Sequence, residues 1–176
     1  MKRGLFGKRA RLKPFLTKRL VRVVLAICVL VVAGLIFYFS SQDGETSTDT
    51  SNGIVTVVVD VFVKDYKKMP VAKQRSVWRT VSYYVRKGAH FTEYAALGFF
   101  LRLFMRSLGL RFPGLVAWLC GALYAASDEF HQTFTSARAG MWQDVALDSG
   151  GVLFGCLVAL ALTPLFLWAW RRWKIE

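Results

Sequence analysis

Apolar and polar positions fall along this chain in long blocks. Val23 to Gln42 is 20 consecutive positions without a charge, Ser149 to Trp170 is 22, and Phe112 to Ser127 is 16. A helix needs about 20 residues to cross a hydrocarbon core about 30 Å thick. A fourth block, Phe91 to Leu110, is broken only by Glu93 near one end and by Arg102 and Arg106 near the other. Long basic side chains at that position can reach the interface along their apolar stems. The pattern predicts an all-α polytopic membrane protein with four transmembrane helices at about 20–40, 89–110, 112–131 and 145–170. These form one transmembrane domain over 20–170, between a basic segment at 1–19 and a basic tail at 171–176.

The first connection is the longest. From Ser40 to Gly53 it is small, polar and rich in turn formers, which predicts a surface loop. Val57, Val58, Val61 and Phe62 then recur at helical spacing, with Asp60, Lys64, Asp65, Lys67 and Lys68 between and after them. An amphipathic helix in the interface fits, capped by Ser51 or Asn52, although a valine run also suits a strand. Pro70 closes it. Trp78, Val81, Tyr84 and Val85 mark a second surface helix within 71–87, so one or two interfacial helices are expected in this outer loop.

Charge orients the spans. The chain carries 24 Lys and Arg against 11 Asp and Glu, a net charge of +13. Nine of the basic residues precede Val23, three lie in 102–111 and three in the tail. Basic residues flank spans on the cytoplasmic side, so both termini are expected inside and a nucleic-acid role is not. Ten of the eleven acids fall on the opposite side. The basic-then-apolar start has a run too long for a cleaved signal peptide and reads as a signal anchor. Cys28, Cys120 and Cys156 all fall within predicted spans, where thiols act as small apolar groups.

Helical spacing turns the remaining polar residues into faces. His90 and Glu93 are three apart at the start of the second span. On the third, Gly114, Trp118, Gly121, Ala125, Asp128 and Gln132 form one stripe with His131 beside it, and Glu129 is read as off the stripe. On the fourth, Asp144, Asp148, Gly151 and Gly155 share a face whose small residues admit a neighbouring helix. The second span begins outside, the third ends there and the fourth begins there. His90, Glu93, Asp128, Glu129, His131, Gln132, Arg138, Asp144 and Asp148 therefore converge on one outward polar pocket, Glu129 as its weakest member, and ionisable groups at a membrane are functional candidates by default.

Three chemistries fit that set. His90, Glu93, Asp128 and His131 are candidates for a divalent metal such as zinc or manganese. The same four are candidates for metal-free acid–base catalysis. Arg138 with the histidines suits an anionic head group, leaving the acids to contact amines or hydroxyls, a binding site without a reaction. Spacing does not select among them, so whether the protein is an enzyme stays open here.

Several segments in order carry a resemblance. Phe39-Ser40-Ser41-Gln42, then Lys87-Gly88-Ala89-His90-Phe91-Thr92-Glu93-Tyr94, then Asp128-Glu129-Phe130-His131-Gln132, Arg138, Asp144-Val145 and the glycines at 151 and 155 resemble the VanZ-like family. The likeness covers about 20–160. It implies a small multi-pass protein of the bacterial cell membrane, from a family whose namesake is associated with low-level resistance to the glycopeptide teicoplanin. By motif match it also implies His90, Glu93, Asp128, Glu129, His131, Gln132, Arg138 and Asp144 as the family's polar signature and Ser41 and Gln42 as its first-loop signature. Gln42, Gln132, Arg138, Asp144 and Asp148 are the expected binding residues. The expected partners are the bilayer and an envelope amphiphile: a lipid-linked wall precursor, a phospholipid or a lipoglycopeptide. The alternative is a non-catalytic scaffold whose polar cluster only holds the bundle together.

Overall fold

The computed structural model describes the backbone of residues 4–41, 44–134 and 141–173, and side chains within 18–41, 52–134 and 141–165. Five α-helices follow in order: α1 Gly4–Ser40, α2 Gly44–Phe62, α3 Val71–Ser107, α4 Pro113–Gln132 and α5 Trp142–Trp173. A short 3-10 turn, Tyr66–Lys68, joins α2 to α3. The described residues contain no strand, which settles the valine run as helix.

Each boundary has a local cause. α3 begins at Val71 because Pro70 fixes an extended entry, and the Pro70 carbonyl accepts from the N–H groups of Lys73 and Gln74 at 2.9 and 3.0 Å. The Gln74 side chain reaches back to the Met69 carbonyl at 2.8 Å and steadies the turn. α3 ends at Ser107, short of the expected Leu110. Gly109 adopts φ +84°, the N–H of Leu110 meets the Met105 carbonyl, and that of Gly109 meets the Arg106 carbonyl. That pairing closes a helix on a left-handed residue, where glycine carries no Cβ penalty. Pro113 then opens α4, with its fixed φ suited to a first helical turn. The short connection makes α3 and α4 antiparallel neighbours.

α3 is the hub: it packs against α1, α2, α4 and α5, and α5 also packs on α4. Its 37 residues run without a break. The surface helix expected within 71–87 is thus the first half of the helix that carries the second predicted span. At about 1.5 Å per residue α3 is roughly 55 Å long, well beyond a hydrocarbon core of about 30 Å.

The α3–α5 contact depends on small residues. A Cβ placed on Gly155 would collide with the Ala95 carbonyl, and one on Gly98 with the Val152 backbone, so each helix presses its backbone into a gap on the other. Gly155 belongs to the small-residue face predicted from sequence. Around this seam lie Ile36, Tyr94, Leu97, Leu101, Ala117, Ala125, Val152 and Cys156, the buried core.

α2 departs from its expectation in two ways. It starts at Gly44, so the segment read as a loop up to Gly53 is helical and Ser51 and Asn52 are interior rather than caps. Val55 and Val59, four apart, are its buried residues, while Val57 is 62% and Val61 68% exposed. The predicted apolar face is therefore mostly the one turned from the protein. Such a surface is stable when it lies in a lipid interface.

Among the described residues two helical stretches are long and apolar enough to cross a membrane, Lys18–Ser40 and Trp142–Leu165. The first is scarcely buried by protein, with Leu20, Val23, Ile27, Leu30 and Val31 all largely exposed. A contiguous apolar face of that size needs a nonaqueous surrounding.

Candidate functional site

The polar residues at one end of the bundle separate into two groups. Behind, in the protein interior, Asp128 is 4% exposed on α4. The hydroxyl of Tyr94 on α3 donates to Asp128 Oδ2 at 3.2 Å, and Gln132 Nε2 donates to the same oxygen at 3.2 Å. Gln132 Nε2 also lies 2.6 Å from Ser40 Oγ at the end of α1. One buried carboxylate thereby ties α1, α3 and α4 together. Nearby, Tyr124 on α4 donates to the Ala33 carbonyl of α1 at 2.7 Å, a second strap between these helices.

In front lies a cavity of about 260 Å³ between α3, α4 and the start of α5, partly open to the surface. Arg86, Lys87 and His90 line it from α3, Glu129 and Gln132 from α4, and Asp144 and Asp148 from α5. Lys87 Nζ donates to Asp144 Oδ1 in an ion pair across the mouth, with both side chains mostly shielded. Asp144 also sits in the first turn of α5, where the helix dipole favours a negative charge. Glu129 Oε1 accepts from the Met141 N–H at 2.7 Å, which ties the end of α4 to the residue before α5. Asp148 is 3% exposed, and its Oδ1 has no hydrogen-bond partner. A buried carboxylate oxygen without a partner is costly, and a ligand group can satisfy it.

The residues anticipated from sequence divide accordingly. His90, Gln132, Asp144 and Asp148 come together on the cavity wall. Asp128 stands behind it, joined through Gln132. Glu93, one residue before Tyr94, is half-buried and is not among the lining residues. His131 faces α1, with its ring 4.9 Å from that of Phe37, and does not line the cavity. Gln42 and Arg138 lie outside the described residues.

Two charged lining groups, Arg86 and Lys87, were not singled out for this site from sequence, and Glu129 was placed there only as its weakest member. Lys87 lies three residues before His90, so helical spacing already placed it on the same face. Glu129 follows Ala125 by four and precedes Gln132 by three. It is buried at 8% exposure, and the stripe is wide enough to include it.

Chemically, the wall offers carboxylates and an imidazole that can carry protons, and a guanidinium that can hold an anion. Among the described residues no three His, Cys, Asp or Glu side chains gather closely enough to hold a metal ion. His90 and His131, the two imidazoles of the proposed metal set, face different surroundings, one the cavity and one Phe37.

Comparison with known proteins adds one decisive match: the VanZ/LLP1 family profile aligns with residues 24–166. The chain belongs to the VanZ/LLP1 family. The match spans the second half of α1 through most of α5 and includes every described wall residue of the cavity. No curated protein and no solved structure matches the chain. Membership in VanZ/LLP1, together with the two bilayer-length apolar helices, supports a membrane protein.

Proposed function

We propose that this VanZ/LLP1 protein crosses the bacterial membrane four times, through α1, the second half of α3, α4 and α5. Both termini are inside, and the cavity of Arg86, Lys87, His90, Glu129, Gln132, Asp144 and Asp148 opens on the outer face. Its occupant is the polar head of an envelope amphiphile: a lipid-linked wall precursor, a phospholipid or a lipoglycopeptide. The observation that carries this reading is the buried Asp148 side chain, whose Oδ1 has no hydrogen-bond partner, on the wall of a charged cavity. Volume supports a head group rather than a whole ligand, because 260 Å³ lies at the lower edge of small-molecule pockets, about 300–1,000 Å³. The tail of an amphiphile would stay in the bilayer beside the exposed apolar flanks. By family resemblance, the same binding would connect the protein to teicoplanin susceptibility.

The test compares envelope lipid and precursor extracts, and teicoplanin susceptibility, in cells carrying the wild type or Asp148→Asn at equal protein abundance. Loss of the wild-type difference in Asp148→Asn supports the reading. An unchanged difference rejects it.

A second reading, a non-catalytic scaffold, is favoured by the network of Tyr94, Asp128, Gln132 and Ser40. Those bonds join three helices without reaching for a ligand. Under that reading, substitutions at the cavity and at the network alike lower stability and abundance, and neither changes the envelope at matched abundance.

A further inference from the structure

The opposite end of the bundle holds a second cavity, also about 260 Å³, lined by Arg102, Gly114, Leu115, Trp118, Leu153, Cys156 and Leu157. Arg102 lies twelve residues beyond His90 on α3, or about 18 Å along the helix axis, so the two cavities are distinct. Arg102 Nε is buried without a hydrogen-bond partner. Among the described residues no carboxylate is at hand: no Asp or Glu occurs in 94–127 or 149–165, the described segments that build this end. Basic groups accumulate here instead. Arg106 and Arg111 lie close by in sequence, and Arg22 is held at the same end by its bond to the Ser107 carbonyl at 3.0 Å.

Two further features shape the cavity. Gly114 has no side chain where a Cβ would strike the Arg102 guanidinium, so the guanidinium rests against the first turn of α4. Phe112, which caps α4, makes no side-chain hydrogen bond to that turn. Leu115, Leu153 and Leu157 are about half exposed and extend the cavity into an apolar flank. A half-buried cation whose buried Nε has no hydrogen-bond partner, bordered by an apolar channel, matches a phosphate joined to acyl chains. An arginine fork is suited to phosphate oxygens.

We propose that Arg102, Gly114 and Trp118, with the leucines beside them, form a binding site for an anionic phospholipid, with its phosphate on the Arg102 guanidinium and an acyl chain along Leu115, Leu153 and Leu157. The site is independent of the outer cavity and shares with the proposed topology only the assignment of this end to the inner leaflet. Anionic lipids are abundant there, and basic pockets between spans hold their head groups. Arg102 in this account is a ligand-holding residue, not one that merely snorkels.

The test uses the full-length protein, purified and delipidated in a neutral detergent, then titrated separately with phosphatidylglycerol, phosphatidylcholine and inorganic phosphate while bound species are counted by native mass spectrometry. One phosphatidylglycerol per chain is expected, with phosphatidylcholine about tenfold weaker or more, because it carries the same phosphate but its choline cation would lie among the basic groups Arg22 and Arg106 at this end. Arg102→Gln should lose the lipid by a similar factor, Arg102→Lys by less, and Gly114→Ala should weaken it by displacing the guanidinium. Arg111→Gln, which changes an exposed arginine, should retain it. Melting temperature in detergent monitors folding, and Arg102→Lys and Gly114→Ala carry the test if Arg102→Gln unfolds. Equal retention by wild type and the folded Arg102 variants overturns the proposal. So does equal binding of phosphatidylcholine, equal loss in Arg111→Gln, or saturation by inorganic phosphate with no added affinity for the lipid.

Discussion

Replacing Tyr94 by Phe removes one oxygen from a fully buried site and tests the interior network with little change of volume. The lost hydroxyl is one of two donors to Asp128 Oδ2, the other being Gln132 Nε2, each at 3.2 Å. Asp128 Oδ1 has no partner, so the carboxylate would keep a single donor. In soluble proteins a hydrogen bond to a charged group contributes about 1.5–3 kcal/mol. Between helices in a membrane the measured average is about 0.6 and the maximum about 1.7 kcal/mol, because the unfolded reference also finds partners. Two long bonds to one oxygen belong at the lower end. Tyr94→Phe should therefore destabilise by about 0.5 kcal/mol. The assay is reversible unfolding in mixed detergent of wild type, Tyr94→Phe, Asp128→Asn and the double variant. The cycle should give a coupling of about 0.3–0.6 kcal/mol between the two residues. Zero coupling, with stability unchanged while the envelope phenotype disappears, would refute the structural role and return Asp128 to the list of ligand-contacting residues.

Further outcomes follow from other contacts. Gly155→Leu should prevent the folded protein from accumulating, because its Cβ meets the Ala95 backbone rather than a side chain that can move. Overpacking ordinarily costs about 1–3 kcal/mol, and a backbone clash lies above that range. Immunoblots of membrane fractions measure it. Lys87→Met should destabilise by about 2 kcal/mol, between exposed and buried ion pairs, since Asp144 loses its partner across the cavity mouth. The exchange Lys87→Asp with Asp144→Lys should recover part of that loss in a detergent melt. Tyr124→Phe should lower stability by about 1 kcal/mol through loss of its bond to the Ala33 carbonyl, with no effect on ligand retention.

Much of this architecture was legible in runs of uncharged residues. Length and polarity alone locate the second half of α1 and most of α5, and the stripe at 151 and 155 anticipates the close seam with α3. Local pattern was less informative at α2. Valines at 55, 57, 58, 59 and 61 make nearly every side apolar, so only the position of α3 determines that Val55 and Val59 are covered. The loop predicted from small polar residues at 44–53 is helical, because composition reports propensity and helix α2 is held by its contact with α3.

The candidate site was legible as an address and not as an arrangement. Sequence placed His90, Gln132, Asp144 and Asp148 at one end, where the cavity gathers them. It could not separate Asp128, which braces three helices, from Asp148, which meets the cavity, because both lie on inward stripes and differ only in their partners. His131 shows the same limit: its neighbour is Phe37, more than 90 residues away in the chain. The Lys87–Asp144 pair spans 57 positions and is likewise a product of helix packing.

The most direct test of the outer cavity is mass spectrometry of amphiphiles that co-purify with the protein from native membranes. The account predicts a head-group-bearing envelope species that is present with the wild type and with Arg102→Gln, and absent from a folded Asp148→Asn variant. An identical set of bound species in wild type and Asp148→Asn would contradict it.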